Sequence, residues 1–258
     1  MLARRRPLRL ALPALAALLL LLAVVIWQEY RADRVEVREA DGCVTALFNF
    51  AGGYDILVNT GPSHHARDLG RMLRRHGVNR IELLILTQVD SRHAGGVLKL
   101  AEQHRIGSVW IPDHPSRSPI LAELEELAGR EKIQLQRVSA GDPIALDGRL
   151  EIEFFAPLTE ARYRSSAHAA LVFRLARAER AYMLIGSEKA AMAALDCRKD
   201  WAAPVWILEA FPENADLLDR IRLYSPQALV FGGRGLPGSD IDLECWMLYD
   251  KGACQGEF

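Results

Sequence analysis

The residues best suited to chemistry lie in the stretch from Leu83 to Gly96, LLILTQVDSRHAGG. Asp90 and His93 stand close together in it, and a carboxylate beside an imidazole can bind a metal ion or move a proton. The apolar run before them predicts a buried strand, and the segment from Val97 to His104 predicts a helix. A polar turn between a strand and a helix lies at the sheet edge where α/β proteins place their ligands. The sequence therefore predicts a functional site in this turn.

Two segments together resemble a known family. The turn is similar to the metal-binding motif of the metallo-β-lactamase fold, His-x-His-x-Asp-His followed by two glycines. The segment Asn59-Thr60-Gly61-Pro62 is similar to the Asp-Thr-Gly-Pro loop in the soluble domain of competence DNA-uptake channel proteins (ComEC type). Those domains commonly carry Asp at the second His of the motif, as at Asp90. The resemblance spans roughly residues 35–258 and implies an α/β fold, the αββα sandwich with two mixed sheets.

The positions that match the family's metal site are degenerate. Gln88 stands at the first His of the motif, Arg92 at its Asp, Ser187 at the bridging Asp and Asn59 at the loop Asp. A neutral amide is a poor ligand for a transition metal, and a guanidinium cannot be a ligand. The segment after a later strand, Glu209 to Glu213, has no His where the family has two. We interpret Glu209 and Glu213 as ordinary charges at the start of a helix.

Three positions could still offer metal ligands, namely Asp90, His93 and His168. By the resemblance, Asp90 and His168 would serve one metal and His93 the other, so neither metal keeps the three protein ligands of a catalytic zinc. Each residue also has a structural interpretation. His93 would hydrogen-bond nearby backbone, Asp90 would cap the turn or pair with Arg92, and His168 would be a loop residue.

Two functions remain open at this stage. The first is a pseudoenzyme, a non-catalytic binding or scaffold protein that needs no cofactor and has an unidentified protein partner. The alternative is a metal-dependent hydrolase, phosphodiesterase- or nuclease-like, with one zinc or manganese ion in a rearranged site at Asp90, His93 and His168. Nucleic acid enters only through the family analogy, because a net charge of −1 gives no basic footprint. The sequence also contains no G-x-S-x-G and no P-loop.

The N-terminus predicts a membrane anchor. Residues 10–27 are apolar, and at about 1.5 Å per residue they span about 27 Å, close to a hydrocarbon core of about 30 Å. Arginines precede the run and Glu29 follows it, so the positive-inside rule places the N-terminus in the cytoplasm. A cleaved signal peptide is the alternative, but the end of the run lacks an A-x-A site. We therefore expect a cytoplasmic tip, single-pass anchor and linker over residues 1–33 and an extracytoplasmic, periplasmic domain over residues 34–258.

Two further expectations concern cysteines and histidines. Cys245 and Cys254 flank a turn signal in a predicted C-terminal hairpin, where cross-strand spacing would permit a disulfide. Cys43 and Cys197 are interpreted as core residues. Four further histidines are interpreted as ordinary residues in exposed helix-end or loop positions; they are His64, His65, His104 and His114.

Overall fold

A computed structural model describes residues 33–146, 148–159, 163, 165–195, 200–210 and 212–232, together with Leu18 and the backbone of residues 244–247 and 253–256. The predicted anchor, residues 10–27, therefore lies outside the described residues except for Leu18. Within the described part of the chain, no helix has the length and apolar character needed to cross a membrane.

The first sheet carries the predicted site. Its described strands are β1 (Arg34–Ala40), β2 (Cys43–Asn49), β3 (Asp55–Val58), β4 (Arg80–Ile85), β5 (Arg105–Pro112), β6 (Gln134–Val138) and β14 (Ala253–Gly256). They lie in the order β14-β1-β2-β3-β4-β5-β6. From β3 to β6 the neighbours are parallel, whereas β14, β1, β2 and β3 pair antiparallel. The sheet is therefore mixed, as the sequence predicts.

The second sheet has the same mixed character. Its described strands are β7 (Ile144–Ala145), β8 (Leu150–Ala156), β9 (Val172–Arg177), β10 (Arg180–Ile185), β11 (Val205–Leu208), β12 (Ala228–Phe231) and β13 (Glu244–Met247). They lie in the order β13-β12-β11-β10-β9-β8-β7. Pairing is antiparallel from β7 to β10 and parallel from β10 to β13.

The two sheets pack face to face, with helices on the outside. Phe48 and Ile56 of the first sheet share one buried cluster with Phe173, Tyr182 and Ile207 of the second. The outer face of the first sheet packs against the helices α1 (Ala66–Arg75), α2 (Val97–Ala101) and α3 (Pro119–Glu131). The outer face of the second packs against α4 (Glu188–Ala194) and α5 (Ala215–Tyr224). This is the four-layer αββα arrangement that the sequence predicts.

Strand β4 shows how the pattern produces the layers. Leu83 and Ile85 belong to the cluster between the sheets, whereas Leu84 faces the helices. Successive side chains of a strand point to opposite faces, so a strand buried on both sides is apolar throughout. The apolar run before the turn therefore fixes a central strand, and the turn must emerge at its end.

Two predicted elements differ in the structure. The predicted C-terminal hairpin is wrong, because β13 belongs to the second sheet and β14 to the first. Cys245 and Cys254 thus do not lie on neighbouring strands, and the premise of their disulfide is removed. The helix predicted over residues 97–104 ends at Ala101. Cys43 is buried, as predicted, and Cys197 lies outside the described residues.

Candidate functional site

The turn after β4 is held in place by Asn59. Its backbone N–H donates to Ile85 O (2.8 Å), and its Oδ1 accepts from the N–H (2.8 Å) and the hydroxyl (3.0 Å) of Thr87. Its Nδ2 donates to Val44 O at 3.0 Å, a bond that an ionised Asp could not make. Asn59 also has φ +57°, a conformation that Asn tolerates better than most residues. Asn59 therefore links three strands of the sheet through its backbone and its side-chain amide.

Asp90 caps the turn, as one of the sequence interpretations expects. Its Oδ1 accepts from the backbone N–H of Arg92 and of His93, both at 2.9 Å, and lies 2.8 Å from His93 Nδ1. The alternative pairing with the Arg92 side chain is not the one that forms, because that guanidinium turns to Glu209 (2.9 Å). Asp90 is therefore occupied by hydrogen bonds within its own turn.

His93 lies between two carboxylates. Its Nδ1 faces Asp90, and its Nε2 lies 2.8 Å from Glu209 Oε1, a residue 116 positions away in the chain. The expectation of backbone partners for His93 is wrong, and so is the interpretation of Glu209 as a simple helix-start charge. Ionised carboxylates only accept hydrogen bonds, so these two contacts favour a proton on each ring nitrogen of His93. An imidazolium has no lone pair left for a metal ion.

The other two degenerate positions also have structural roles. Gln88 is buried, and its Nε2 donates to Gly186 O at 3.1 Å and lies 3.3 Å from His93 Nε2. Ser187 is the N-cap of α4, where its hydroxyl accepts from Lys189 N at 3.2 Å. Gln88 therefore joins the second sheet to the turn. Ser187 starts the helix α4.

His168 lies apart from this network. Its Nδ1 lies 2.8 Å from Ser165 Oγ, within its own loop. Across the described residues, three ligand atoms of His, Cys, Asp or Glu come within 4.8 Å of one another only at Asp41, His64 and His65. Asp90, His93 and His168 form no such group there. Their assignment as metal ligands stays a prediction.

Three of the histidines interpreted as ordinary have specific contacts in the structure: His104, His64 and His65. His104 is buried rather than exposed, and its Nδ1 donates to Val78 O at 3.1 Å. His64 lies 2.8 Å from Asp41, and the ring centroids of His64 and His65 are 4.4 Å apart. The signal that could have revealed this cluster is a pair of consecutive histidines after a Gly-Pro turn, combined with an Asp-Gly turn between two strands.

A small cavity lies between the sheets beside His93. It has a volume of about 20 Å³, and its lining includes Asn59, Thr87, His93 and Glu209. This is room for about one water molecule. Side chains therefore fill the described part of the site, except for a space the size of one water molecule.

The electrostatics agree with the hydrogen bonds. Burial alone would lower the pKa of His93, but hydrogen bonds to Asp90 and Glu209 and their negative charges raise it above the ordinary 6.5. Burial alone would raise the pKa of Asp90, but its bonds to His93 lower it below the ordinary 3.8. Burial, with the charge of Glu209, raises the pKa of the Cys43 thiol far above its usual range. The contacts and the raised pKa therefore both favour the protonated form of His93.

This arrangement predicts a pH-dependent stability. Because folding raises the pKa of His93, protonation of His93 stabilises the folded protein. This stabilisation is complete below the ordinary pKa of 6.5 and is lost as the pH rises through the pKa of the folded state. We therefore expect the free energy of unfolding, measured by urea titration, to decrease above pH 6.5. These measurements should be made below about pH 8, because the cysteine thiols of the unfolded chain ionise above that pH. The pKa of His104 is lowered by burial, so His104 affects stability only at lower pH.

The variant His93→Gln is the control for this dependence. The free energy of unfolding of this variant should not decrease between pH 6.5 and about pH 8. An equal decrease in wild type and variant would assign the titration to another group.

Comparison with solved structures identifies the class of fold. The chain is similar to the metallo-β-lactamase fold protein YhfI from Bacillus subtilis, with a TM-score of 0.55 and 12% identity over 87% of this chain and 100% of that one. A metal-dependent hydrolase of the β-lactamase superfamily matches with a TM-score of 0.52 and 10% identity, covering 86% and 98% of the two chains. A diphosphatase from the PhnP family matches with a TM-score of 0.50 and 13% identity, covering 83% of each.

These identities establish the fold alone. No protein-family model matches the sequence, and no curated protein matches it either. The structural matches show that the chain has the metallo-β-lactamase fold, which its two glycine-containing loops predict.

Proposed function

We propose that this chain is a membrane-anchored, exported domain of the metallo-β-lactamase fold that acts as a non-catalytic binding or scaffold protein. The observation that carries the proposal is the position of His93, whose two ring nitrogens both face carboxylates while Arg92 pairs with one of them. The donor set does not fit the metal centre of this fold, since it combines an imidazolium, a guanidinium and the amide of Gln88.

The charge balance supports the same conclusion. In this fold a bridging carboxylate holds two cations close together, but here Ser187 takes that position and caps a helix. The positive charges of Arg92 and His93 stand beside Glu209 and Asp90, so protein groups already neutralise the carboxylates. A metal ion would have to displace a proton and an arginine to enter. A relationship to the competence-type domain is part of the proposal and is supported by the Asn59–Pro62 loop.

Metal and activity measurements on the purified full-length protein test this proposal. After dialysis against zinc or manganese, we expect no turnover of a phosphodiester such as bis(p-nitrophenyl) phosphate, because no bound water would be activated. Asp90→Ala and His168→Ala should leave the metal content unchanged. Two stoichiometric ions together with phosphodiesterase activity would contradict the proposal, and so would metal content lost in these two variants.

The topology supports an orientation for the anchored domain. Strands β1 and β3 are both antiparallel to β2, so the chain enters the sheet at the end opposite the Asn59 loop. Asp33 fixes that entrance, because its Oδ1 accepts from Arg177 Nη1 at 2.6 Å and from Ala51 N at 2.9 Å. With residues 10–27 in the membrane, the site around His93 would face away from the bilayer, where a partner could reach it.

The anchor makes a separate prediction. Full-length protein should stay in the membrane pellet after alkaline carbonate extraction, and deletion of residues 1–32 should release it into the soluble fraction. Leu20→Arg should weaken the insertion, because a charge in the centre of a span costs about 2.5–3.5 kcal/mol. A full-length chain that appears in the soluble fraction with an intact N-terminus would contradict the prediction.

A further inference from the structure

A cluster of metal-ligating side chains lies on the surface, outside the motif of the fold. Asp41 stands in the turn between β1 and β2, and His64 and His65 stand in the loop that leads into α1. Asp41 Oδ2 lies 2.8 Å from His64 Nε2 and 3.7 Å from His65 Nε2. All three ligand atoms are within 4.8 Å of one another. They approach a common point from two separate segments of the chain.

The distances suit a transition-metal ion. Bonds of about 2.0–2.2 Å at a tetrahedral centre place neighbouring ligand atoms about 3.4 Å apart. The measured 2.8 Å and 3.7 Å lie on either side of that value. The shorter distance is an ion-pair contact, and a metal ion would bind at the lone pair of the neutral His64 imidazole. Small rotations of exposed side chains would therefore complete the geometry.

The supporting backbone is fixed. Gly42 N donates to Glu39 Oε1 at 2.6 Å, which closes the turn that carries Asp41. His65 N donates to Pro62 O at 3.0 Å, and Gly61 O accepts from Gly96 N at 2.9 Å. Both segments are thus held by hydrogen bonds outside the cluster. Binding an ion there requires little ordering of the chain.

The ligand types decide which ion would bind. Two imidazoles and one carboxylate are the ligands of Zn²⁺ and similar divalent transition metals, whereas Mg²⁺ and Ca²⁺ prefer oxygen ligands alone. Three protein ligands leave a coordination position open. Asp41 and His64 have 60% and 66% of their side chains exposed, so an ion and a further ligand can reach them.

We propose that Asp41, His64 and His65 bind one Zn²⁺ ion at a solvent-accessible site separate from the degenerate centre of the fold. The site lies at the same end of the sandwich as that centre, since a Cβ atom built on Gly42 would lie 3.5 Å from Arg92 Nη1. The open coordination position would accept a donor group of the partner, such as an imidazole, a thiolate or a carboxylate.

Zinc titration of the full-length protein by calorimetry tests the proposal, with Co²⁺ absorption as a second readout. We expect one ion per chain, and at least about a tenfold loss of affinity in His64→Gln, His65→Gln and Asp41→Asn. Asn is chosen at position 41 because φ is +50° there. His114→Gln and His168→Gln are matched controls that should bind zinc as wild type does. Circular dichroism checks that all variants fold.

The outcomes separate this proposal from the proposed function. Unchanged zinc affinity in the His64→Gln, His65→Gln double variant overturns the surface site, and so does a wild-type protein that binds no zinc. Zinc binding that survives in this double variant but is lost in His168→Gln would place the ion in the fold's own centre. That last result would overturn the surface site and the non-catalytic function together.

Discussion

Replacing Glu209 by alanine is expected to lower the free energy of unfolding by about 2–3 kcal/mol. Glu209 accepts from the imidazolium of His93, whose side chain is only 1% exposed, so the variant leaves a buried positive charge with one carboxylate instead of two. A fully buried pair would cost about 3–5 kcal/mol to break. The expected loss is smaller because Glu209 retains 17% exposure and Arg92 is half exposed.

Urea unfolding of wild type and variant at the same pH measures this effect. Glu213→Ala is the matched control, since Glu213 is exposed in the same loop and should change stability by no more than about 0.5 kcal/mol. A double-mutant cycle then divides the effect of Glu209 between its partners. Its coupling to Arg92 should stay below about 1 kcal/mol, because the Arg92 side chain is half exposed and water screens the pair. Equal stability of Glu209→Ala and Glu213→Ala would show that the contact with His93 contributes nothing.

Much of the fold could be predicted because its signals are local. The apolar run of β4 contains alternate residues for two different layers, and the glycines after β2 allow the hairpin with β3. An apolar stripe of Leu69, Met72 and Leu73, followed by Gly77, predicts a helix over residues 65–76, and α1 forms within a residue of each boundary. These elements depend on neighbours in sequence, and period and turn chemistry are sufficient to identify them.

The C-terminal strands show where local signals fail. A turn signal between two short apolar runs predicts a hairpin at Cys245–Gln255. The structure instead adds β14 to one sheet and β13 to the other, at the edges next to β1 and β12. Which edge a strand joins depends on unpaired groups far away in the chain. Composition within a ten-residue window carries no information about those groups.

The site shows the same limit in its chemistry. The residue types at Gln88, Arg92 and Ser187 are sufficient to predict that they do not ligate a metal. Their actual contacts could not be predicted, because Arg92 and His93 both contact Glu209, which follows β11 of the other sheet. Asn59 is similar, since its three side-chain hydrogen bonds become visible only when β2 and the turn after β4 are brought together.

The two glycines of the turn fix its backbone conformation independently of any metal ion. A Cβ atom on Gly95 would lie 2.2 Å from Ser91 O, and one on Gly96 would lie 2.9 Å from Thr60 O. The turn folds back on itself and against the Asn59 loop so closely that only hydrogen atoms fit. The requirement comes from backbone packing, and it applies whether or not a metal ion is present.

Gly95→Ala should therefore destabilise the domain by about 3 kcal/mol or more, at the upper end of overpacking effects. The contact is with a backbone carbonyl, which cannot rotate away as a flexible side chain could. Gly129→Ala is the matched control, since Gly129 is exposed within α3 with nothing within 4 Å of the added atom. That variant should gain about 0.5–1 kcal/mol from helix propensity.

Urea unfolding and the yield of soluble protein measure both variants. If Gly95→Ala disturbs the turn as the geometry requires, it should also remove the decrease of stability above pH 6.5, because Asp90 would no longer hold His93. A Gly95→Ala protein as stable as wild type would mean that the turn can open without cost. The hydrogen bonds around His93 would then not define the site, and the non-catalytic function would lose its main structural support.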